Sequence, residues 1–184
     1  MHTGWCVWIT GLPGSGKSVI SEALMNLLDE KDITAQVLSS DALRRVLTPK
    51  PSYSLDERDV VYATLVYAAE LLTENGVNLV IDATGNLRRY RDSARKGIQR
   101  FLEVYLKCPL AVCVDREKRR GKAFNAPRRI YAKALEGKAS AVPGMGQPYE
   151  PPLKPELTLD TTECQPKECA QKVLEAILSR FYDK

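Results

Sequence analysis

Three glycines, a lysine and a serine at fixed spacing form the most chemically specific stretch of the chain, Gly11-Leu12-Pro13-Gly14-Ser15-Gly16-Lys17-Ser18. The order G-x-x-x-x-G-K-S/T follows an apolar run, Trp5-Cys6-Val7-Trp8-Ile9. It precedes Val19, Ile20, Ala23, Leu24, Leu27 and Leu28 at helical spacing. Strand, glycine loop and helix in that order make a phosphate cradle. The glycines let the backbone curl so that successive N–H groups face one anion, and the following helix N-terminus adds its own donors. Lys17 is then placed to reach the β- and γ-phosphates of a nucleoside triphosphate, and the Ser18 hydroxyl to ligate Mg²⁺.

Two carboxylates stand where such a loop needs them. The second apolar run ends at Ser39-Ser40-Asp41. A carboxylate there faces the cradle across the cleft, where it can accept a proton from an attacking hydroxyl or hold a magnesium-bound water. The competing role for Asp41 is to cap the short helix that follows. A third run, Val77-Asn78-Leu79-Val80-Ile81, ends at Asp82-Ala83-Thr84. Apolar strand followed by aspartate is the pattern of a residue that reaches Mg²⁺ through water. The chain has one histidine, His2, at the terminus. Histidine-based nucleophilic triads and histidine metal sites are thereby excluded, so any general base is a carboxylate or a lysine.

These residues must be held by alternating strands and helices. Patterning predicts strands over 5–10, 35–39, 77–82, 102–107 and 156–160. Helices are predicted over 17–31, 41–47, 54–75, 88–100, 109–118 and 166–182. The helix from 54 opens on a capping box, Ser54-Leu55-Asp56-Glu57, and ends at Asn75-Gly76. Alternating β and α predicts an α/β fold: a five-stranded parallel sheet covered by helices on both faces, in one domain spanning 1–184. Residues 117–155 break the rhythm with many Lys and Arg, then Pro143-Gly144-Met145-Gly146-Gln147-Pro148. With little core-forming sequence, this stretch reads as a cationic lid that closes on the phosphates.

Composition narrows the function classes. The 184 residues are 44% hydrophobic with a net charge of +4. That charge is too mild for a nucleic-acid footprint, and no apolar run has the length of a membrane span. The apolar strand follows the start too closely for a signal peptide. Five cysteines, Cys6, Cys108, Cys113, Cys164 and Cys169, include no C-x-x-C pair. An odd number without that spacing points to a reduced, cytoplasmic enzyme, with Cys6 and Cys113 as core residues. No N-K-x-D motif for guanine recognition is present.

Several separated motifs resemble the adenylylsulfate kinase family, whose members phosphorylate the 3′-hydroxyl of adenosine 5′-phosphosulfate (APS). Trp8-Ile9-Thr10 with the loop through Ser18 resembles W-x-T-G-L-S/P-G-S-G-K-S/T. Asp41 with Leu43-Arg44 resembles the end of D-G-D-x-L-R, and Tyr53-Ser54-Leu55-Asp56-Glu57-Arg58 is similar to F-S-x-x-D/E-R. Phe101-Leu102-Glu103-Val104-Tyr105-Leu106 with Pro109, Leu110 and Cys113 is similar to F-x-E-V-Y-x-x-x-P-L-x-x-C. Gly144, Pro148-Tyr149-Glu150, Pro152 and Pro155-Glu156-Leu157 resemble G-I-D-x-P-Y-E-x-P-x-x-P-E-L. The resemblance implies a P-loop kinase fold and often a homodimer. It implies ATP and Mg²⁺ at the loop residues, with Asp41 as the acid–base residue. It also implies that Arg44 and Arg58 grip the phosphosulfate, as guanidinium forks suit tetrahedral oxyanions. Arg116 falls on the arginine that touches the ATP adenine, and Arg128 on the lid lysine.

The departures gather on the acceptor side. The first carboxylate of D-G-D is Ser39 here, and Asp82 is the candidate to take over its magnesium-water role. The family's I-S-P is Thr84-Gly85-Asn86, which places Thr84 and Gly85 against the acceptor. The asparagine after F-S-x-x-D/E-R is Val61, and N-F-T-G is Ala141-Val142-Pro143-Gly144, without the phenylalanine that stacks on the APS adenine. Tyr53 remains to cover one face of that ring. Three readings follow: a kinase of APS, a kinase of the same build acting on another anionic hydroxyl compound, and a nucleotide-binding module without turnover. The joint presence of Lys17, Ser18, Asp41, Arg44 and Arg58 favours the kinases.

Overall fold

A computed structural model of the chain describes residues 3–119, 130–136 and 142–182. Arg128 lies outside them. The main sheet is formed by β1 (Cys6–Gly11), β2 (Gln36–Ser39), β3 (Leu79–Asp82), β4 (Phe101–Lys107) and β7 (Leu157–Asp160). All pair in parallel in the order β2-β3-β1-β4-β7. The helices are α1 (Lys17–Asp29), α2 (Ser40–Leu47), α3 (Leu55–Glu74), α4 (Arg88–Gly97), α5 (Leu110–Arg119), α6 (Ile130–Leu135) and α7 (Pro166–Phe181). The five strands and six of the helices fall within a few residues of the predicted ranges. No described helix is long and apolar enough to cross a membrane.

Strand period two divides the core. Val7, Ile9, Val80, Val104 and Leu106 meet Ile20, Leu24 and Leu28 of α1 and Val173, Leu174 and Ile177 of α7. The alternate residues Cys6, Trp8, Leu79 and Ile81 meet Tyr62, Leu65 and Val66 of α3 and Tyr90 and Ala94 of α4. The central strands β1 and β3 are therefore apolar on both faces, as strands sandwiched between helices require, while the edge strand β2 leaves Gln36 and Val37 exposed. Burying each such large side chain is worth about 1.5–3 kcal/mol.

Four expectations change. Helix α4 stops at Gly97 rather than 100, because Ile98 turns extended and buries in the second cluster. The capping box at Ser54 is only half formed: Ser54 Oγ accepts the Glu57 N–H at 3.2 Å, but the Glu57 carboxylate turns away to Ser52 and Tyr53. Asp41, expected after the strand next to the one that leads into the cradle, follows β2 instead, and β3 runs between β2 and β1. Finally, the stretch from 117 carries core-forming residues after all. Helix α6 and the short pair β5 (Val142–Pro143) and β6 (Gly146–Gln147) bring Tyr131 and Val142 onto Cys108 and Cys113 in a third buried cluster. The chain after Gln147 is tied to the sheet: Asn86 Nδ2 donates to the Pro148 carbonyl at 3.1 Å, and the Glu150 N–H to the Asn86 carbonyl at 2.8 Å.

Candidate active site

Gly14 and Gly16 shape the cradle. Both have left-handed φ, +82° and +105°, where an L side chain is strained. A Cβ on Gly14 would also lie 2.5 Å from the Cys113 carbonyl oxygen, so the loop leaves no room for one. Gly16 is the N-cap of α1, with no side chain capping it. The first N–H groups of α1 therefore point toward the loop without the usual Ser or Asp cap. Lys17 Nζ donates to the carbonyls of Gly11 and Leu12, each at 3.1 Å, and so spans the mouth of the loop. Ser18, one position on, is exposed. A curled loop, an uncapped helix start, an ammonium and a hydroxyl are the donor set that ATP with Mg²⁺ requires, and the residues fit that group.

Register places the carboxylates. Ile9, Asp82 and Ser39 are level on β1, β3 and β2. Ile9 faces α1, so alternation turns Asp82 and Ser39 to that same side, where Lys17 and Ser18 begin the helix. Asp82 thus stands one strand away from Ser39, at the same height. Asp41 follows in the first turn of α2. The capping role considered for Asp41 belongs to Ser39, whose Oγ accepts the Ala42 N–H at 3.4 Å. The Asp41 charge is among the influences that raise the Tyr53 and Tyr62 pKa values, after burial.

The surroundings of Arg44 and Arg58 are built from charge. Arg44 is buried and ion-paired to Glu57, side chains 8% and 10% exposed. Glu57 also accepts from the Ser52 N–H at 2.5 Å, the Ser52 hydroxyl at 2.7 Å and the Tyr53 N–H at 3.1 Å. Burial alone would raise the Glu57 pKa, but the Ser52 and Tyr53 donors and the Arg44 charge outweigh it and hold the carboxyl below its ordinary value. Tyr53 is one of two non-glycine residues with positive φ, at 56°, among the described residues. Its ring lies 5.1 Å from the Arg44 guanidinium and 5.9 Å from that of Arg58. Arg58, also buried, donates through Nε to the Tyr53 carbonyl at 3.1 Å and through Nη1 to Asn86 Oδ1 at 3.4 Å. A non-glycine residue held in the left-handed region by a carboxylate and flanked by two arginines is a mark of a binding site. Burial first, then the Asp41 charge, raises the Tyr53 pKa.

The structure brings Asp41, Arg44, Tyr53 and Arg58 into one neighbourhood at the carboxyl ends of β2 and β3. Thr84 and Gly85 follow β3, with the Thr84 carbonyl accepting the Thr10 hydroxyl at 2.6 Å. Both backbone groups of Gly85 are used internally: its N–H donates to Tyr62 Oη at 2.9 Å and its carbonyl accepts from Arg91. Arg116 lies at the far side of the sheet, donating to Thr161 Oγ1 at 2.9 Å just beyond β7. Sequence reasoning missed Glu57 and Asn86 as site-building residues. It also missed Arg91, which is 1% exposed and ties Glu103 Oε1 at 2.7 Å to the Glu150 carbonyl at 2.6 Å. The signal for Glu57 was its place one residue before Arg58, which a helix cap explained too readily.

Comparison with known proteins shows the family. The family model described as adenylylsulphate kinase matches residues 3–160. A probable adenylyl-sulfate kinase of Pyrococcus abyssi is 33% identical over 171 residues, covering 93% of both chains. The adenylyl-sulfate kinase of Gloeothece citriformis is 34% identical over 174 residues, covering 95% of this chain and 94% of its own. Among solved structures, the Mycobacterium tuberculosis APS kinase in complex with AMPPNP and APS superposes with a TM-score of 0.84 at 34% identity, covering 96% of this chain and 99% of that one. A shikimate kinase from Acinetobacter baumannii, at 20% identity and a TM-score of 0.65, shares the fold. With its phosphate loop, its strand-end carboxylates and a family match over nearly its whole length, the chain belongs to the adenylylsulfate kinase family.

Proposed function

We propose that the protein transfers the γ-phosphoryl group of ATP to the 3′-hydroxyl of APS. The observation that carries this reading is the cluster of Asp41, Arg44, Tyr53 and Arg58 at the strand ends beyond the cradle, anion grip and proton acceptor side by side. The loop N–H groups and the start of α1 bind the polyphosphate, and Lys17 balances charge on the group in transfer. Arg44 and Arg58 hold the phosphosulfate, while Tyr53 lies against the adenine. Asp41 takes the proton of the attacking hydroxyl. Ser18 would hold Mg²⁺ directly and Asp82 through water, and the chemistry supplied there would be neutralisation of phosphate charge. Arg116 borders the ATP adenine. The cationic lid, with Arg128, excludes water that would otherwise compete as acceptor.

A second reading, another anionic hydroxyl acceptor, is favoured by one observation. Val61, standing where the family has asparagine, is fully buried and offers the site no polar atom. An ADP-release assay with ATP and Mg²⁺ separates the two. Turnover with APS at low concentration is the expected result. Turnover only with other nucleotide or sugar derivatives moves the assignment to the second reading, and none with any acceptor overturns both.

A further inference from the structure

Three consecutive residues of the phosphate loop are contacted by the segments that follow β4. The Leu12 side chain packs where a Cβ on Gly144 would come within 2.8 Å, and Gly14 sits against the Cys113 carbonyl of α5. Between them, the Tyr131 hydroxyl of α6 donates to the Pro13 carbonyl at 2.8 Å. Tyr131 is fully buried in the third apolar cluster, packed among Cys108, Cys113 and Val142. Burial raises its pKa far above neutrality, so the hydroxyl keeps its proton.

The bond matters because of what the Pro13–Gly14 peptide can do. The peptide unit is planar and trans, so its C=O and N–H point in opposite directions. Gly14, at φ +82°, opposes few rotations with a side chain. A peptide ending at such a residue can turn over, exchanging the direction of its donor and its acceptor. Turned over, it would present a carbonyl oxygen to the phosphates in place of an N–H.

We propose that Tyr131 is a positioning residue that locks the Pro13–Gly14 peptide. By holding the Pro13 carbonyl outward, its hydroxyl directs the Gly14 N–H into the cradle. Polyphosphate binding is thereby coupled to the seating of α6, which in sequence directly follows Arg119, Arg120, Arg128 and Arg129. The inference rests on the cradle holding a nucleotide polyphosphate, and adds to it the group that sets one donor's direction. Glu117 supports the same seating: 5% exposed, it accepts the Ile130 N–H at 3.3 Å where α6 begins.

Tyr131→Phe removes the hydroxyl and keeps the ring that fills the cluster. Calorimetric titration with ADP should show affinity weakened about three- to tenfold, the range of one hydrogen bond. The melting temperature without nucleotide should stay within about 2 °C of the parent. In the ligand-free protein the Gly14 amide resonance, sharp in the parent, should shift or broaden by exchange in the variant. The Pro13 carbonyl carbon of the unmodified protein should show the downfield shift of a hydrogen-bonded acceptor, a measurement that needs no variant. Unchanged ADP affinity with an unchanged Gly14 amide overturns the proposal. So does a Pro13 carbon with the shift of a carbonyl that accepts no bond. A parent that binds no ADP at all defeats the nucleotide reading instead, while the two resonance measurements still judge the peptide lock.

Discussion

The donor and acceptor halves of the proposed site are held by different means. Around the phosphate loop the binding groups are backbone N–H groups, and their placement follows from left-handed glycines and the start of a helix. Around Arg44 and Arg58 they are long side chains, fixed by other side chains: Glu57 on Arg44, the Tyr53 carbonyl and Asn86 on Arg58. A backbone cradle has few ways to vary, since each donor is a peptide group shared by every residue type. A side-chain grip can be rebuilt one residue at a time, and this half departs from the family pattern at Ser39, Val61 and Val142.

Substitutions test that division. Asp41→Asn should lower kcat by about 10²–10⁴-fold, the range of a lost general base, with ATP affinity nearly unchanged. Turnover within tenfold of the parent would place proton acceptance elsewhere and remove Asp41 from the acceptor half. Glu57→Gln should destabilise the fold by about 3 kcal/mol, because Arg44 is left buried without its counter-charge. It should raise the acceptor KM about tenfold and leave the ATP KM alone, as expected for one charged hydrogen bond lost. An equal rise in both would show that the halves are not separately built.

The same residue gives a pH signature. The Glu57 pKa is lowered on folding from an ordinary value of 4.5. Its contribution to stability is complete above that value and is lost as pH falls through the lower, folded-state pKa. Acid unfolding followed by circular dichroism below pH 4.5 should be shallower in Glu57→Gln than in the parent.

Gly14→Ala probes the backbone side. With a positive φ and a Cβ forced within 2.5 Å of a backbone carbonyl, it should cost about 2 kcal/mol of stability. Here the ATP KM should rise and the acceptor KM stay, the reverse of Glu57→Gln. The smallest effect is expected from Asp82→Asn, which should raise the Mg²⁺ concentration for half-maximal activity roughly threefold, as for loss of one water-mediated contact. An unchanged Mg²⁺ requirement would remove Asp82 from the metal site and leave Ser39 without a substitute.

The parts legible in the sequence were those with a local cause. The glycine spacing that makes the cradle lies within eight residues, and the alternation of Cys6, Val7, Trp8 and Ile9 between the two core clusters is a property of one strand. The capping residue of α3, the buried cysteines and the alternating order of elements came from the same kind of evidence. Glu57 was assigned to a helix cap because its partner Arg44 is 13 residues away, on another helix. The sequence pattern reads α6 as loop because the Ile130-to-Leu135 stretch is short and the hydrogen bond of its anchor, Tyr131, reaches Pro13 across 118 residues.

Residue order alone was enough to say which residues could bind phosphate, where the strands and helices run, and that a carboxylate or a lysine must serve as base. Only the tertiary structure decided which neighbours those groups have: that Ser39 caps α2 in place of Asp41, that Asp82 stands level with Ser39 across one strand gap, and that Tyr131 reaches Pro13. The reason is one of range. Backbone preference and residue period act over a few positions. Ion pairs and hydrogen bonds between distant segments exist only once the sheet order has brought those segments together.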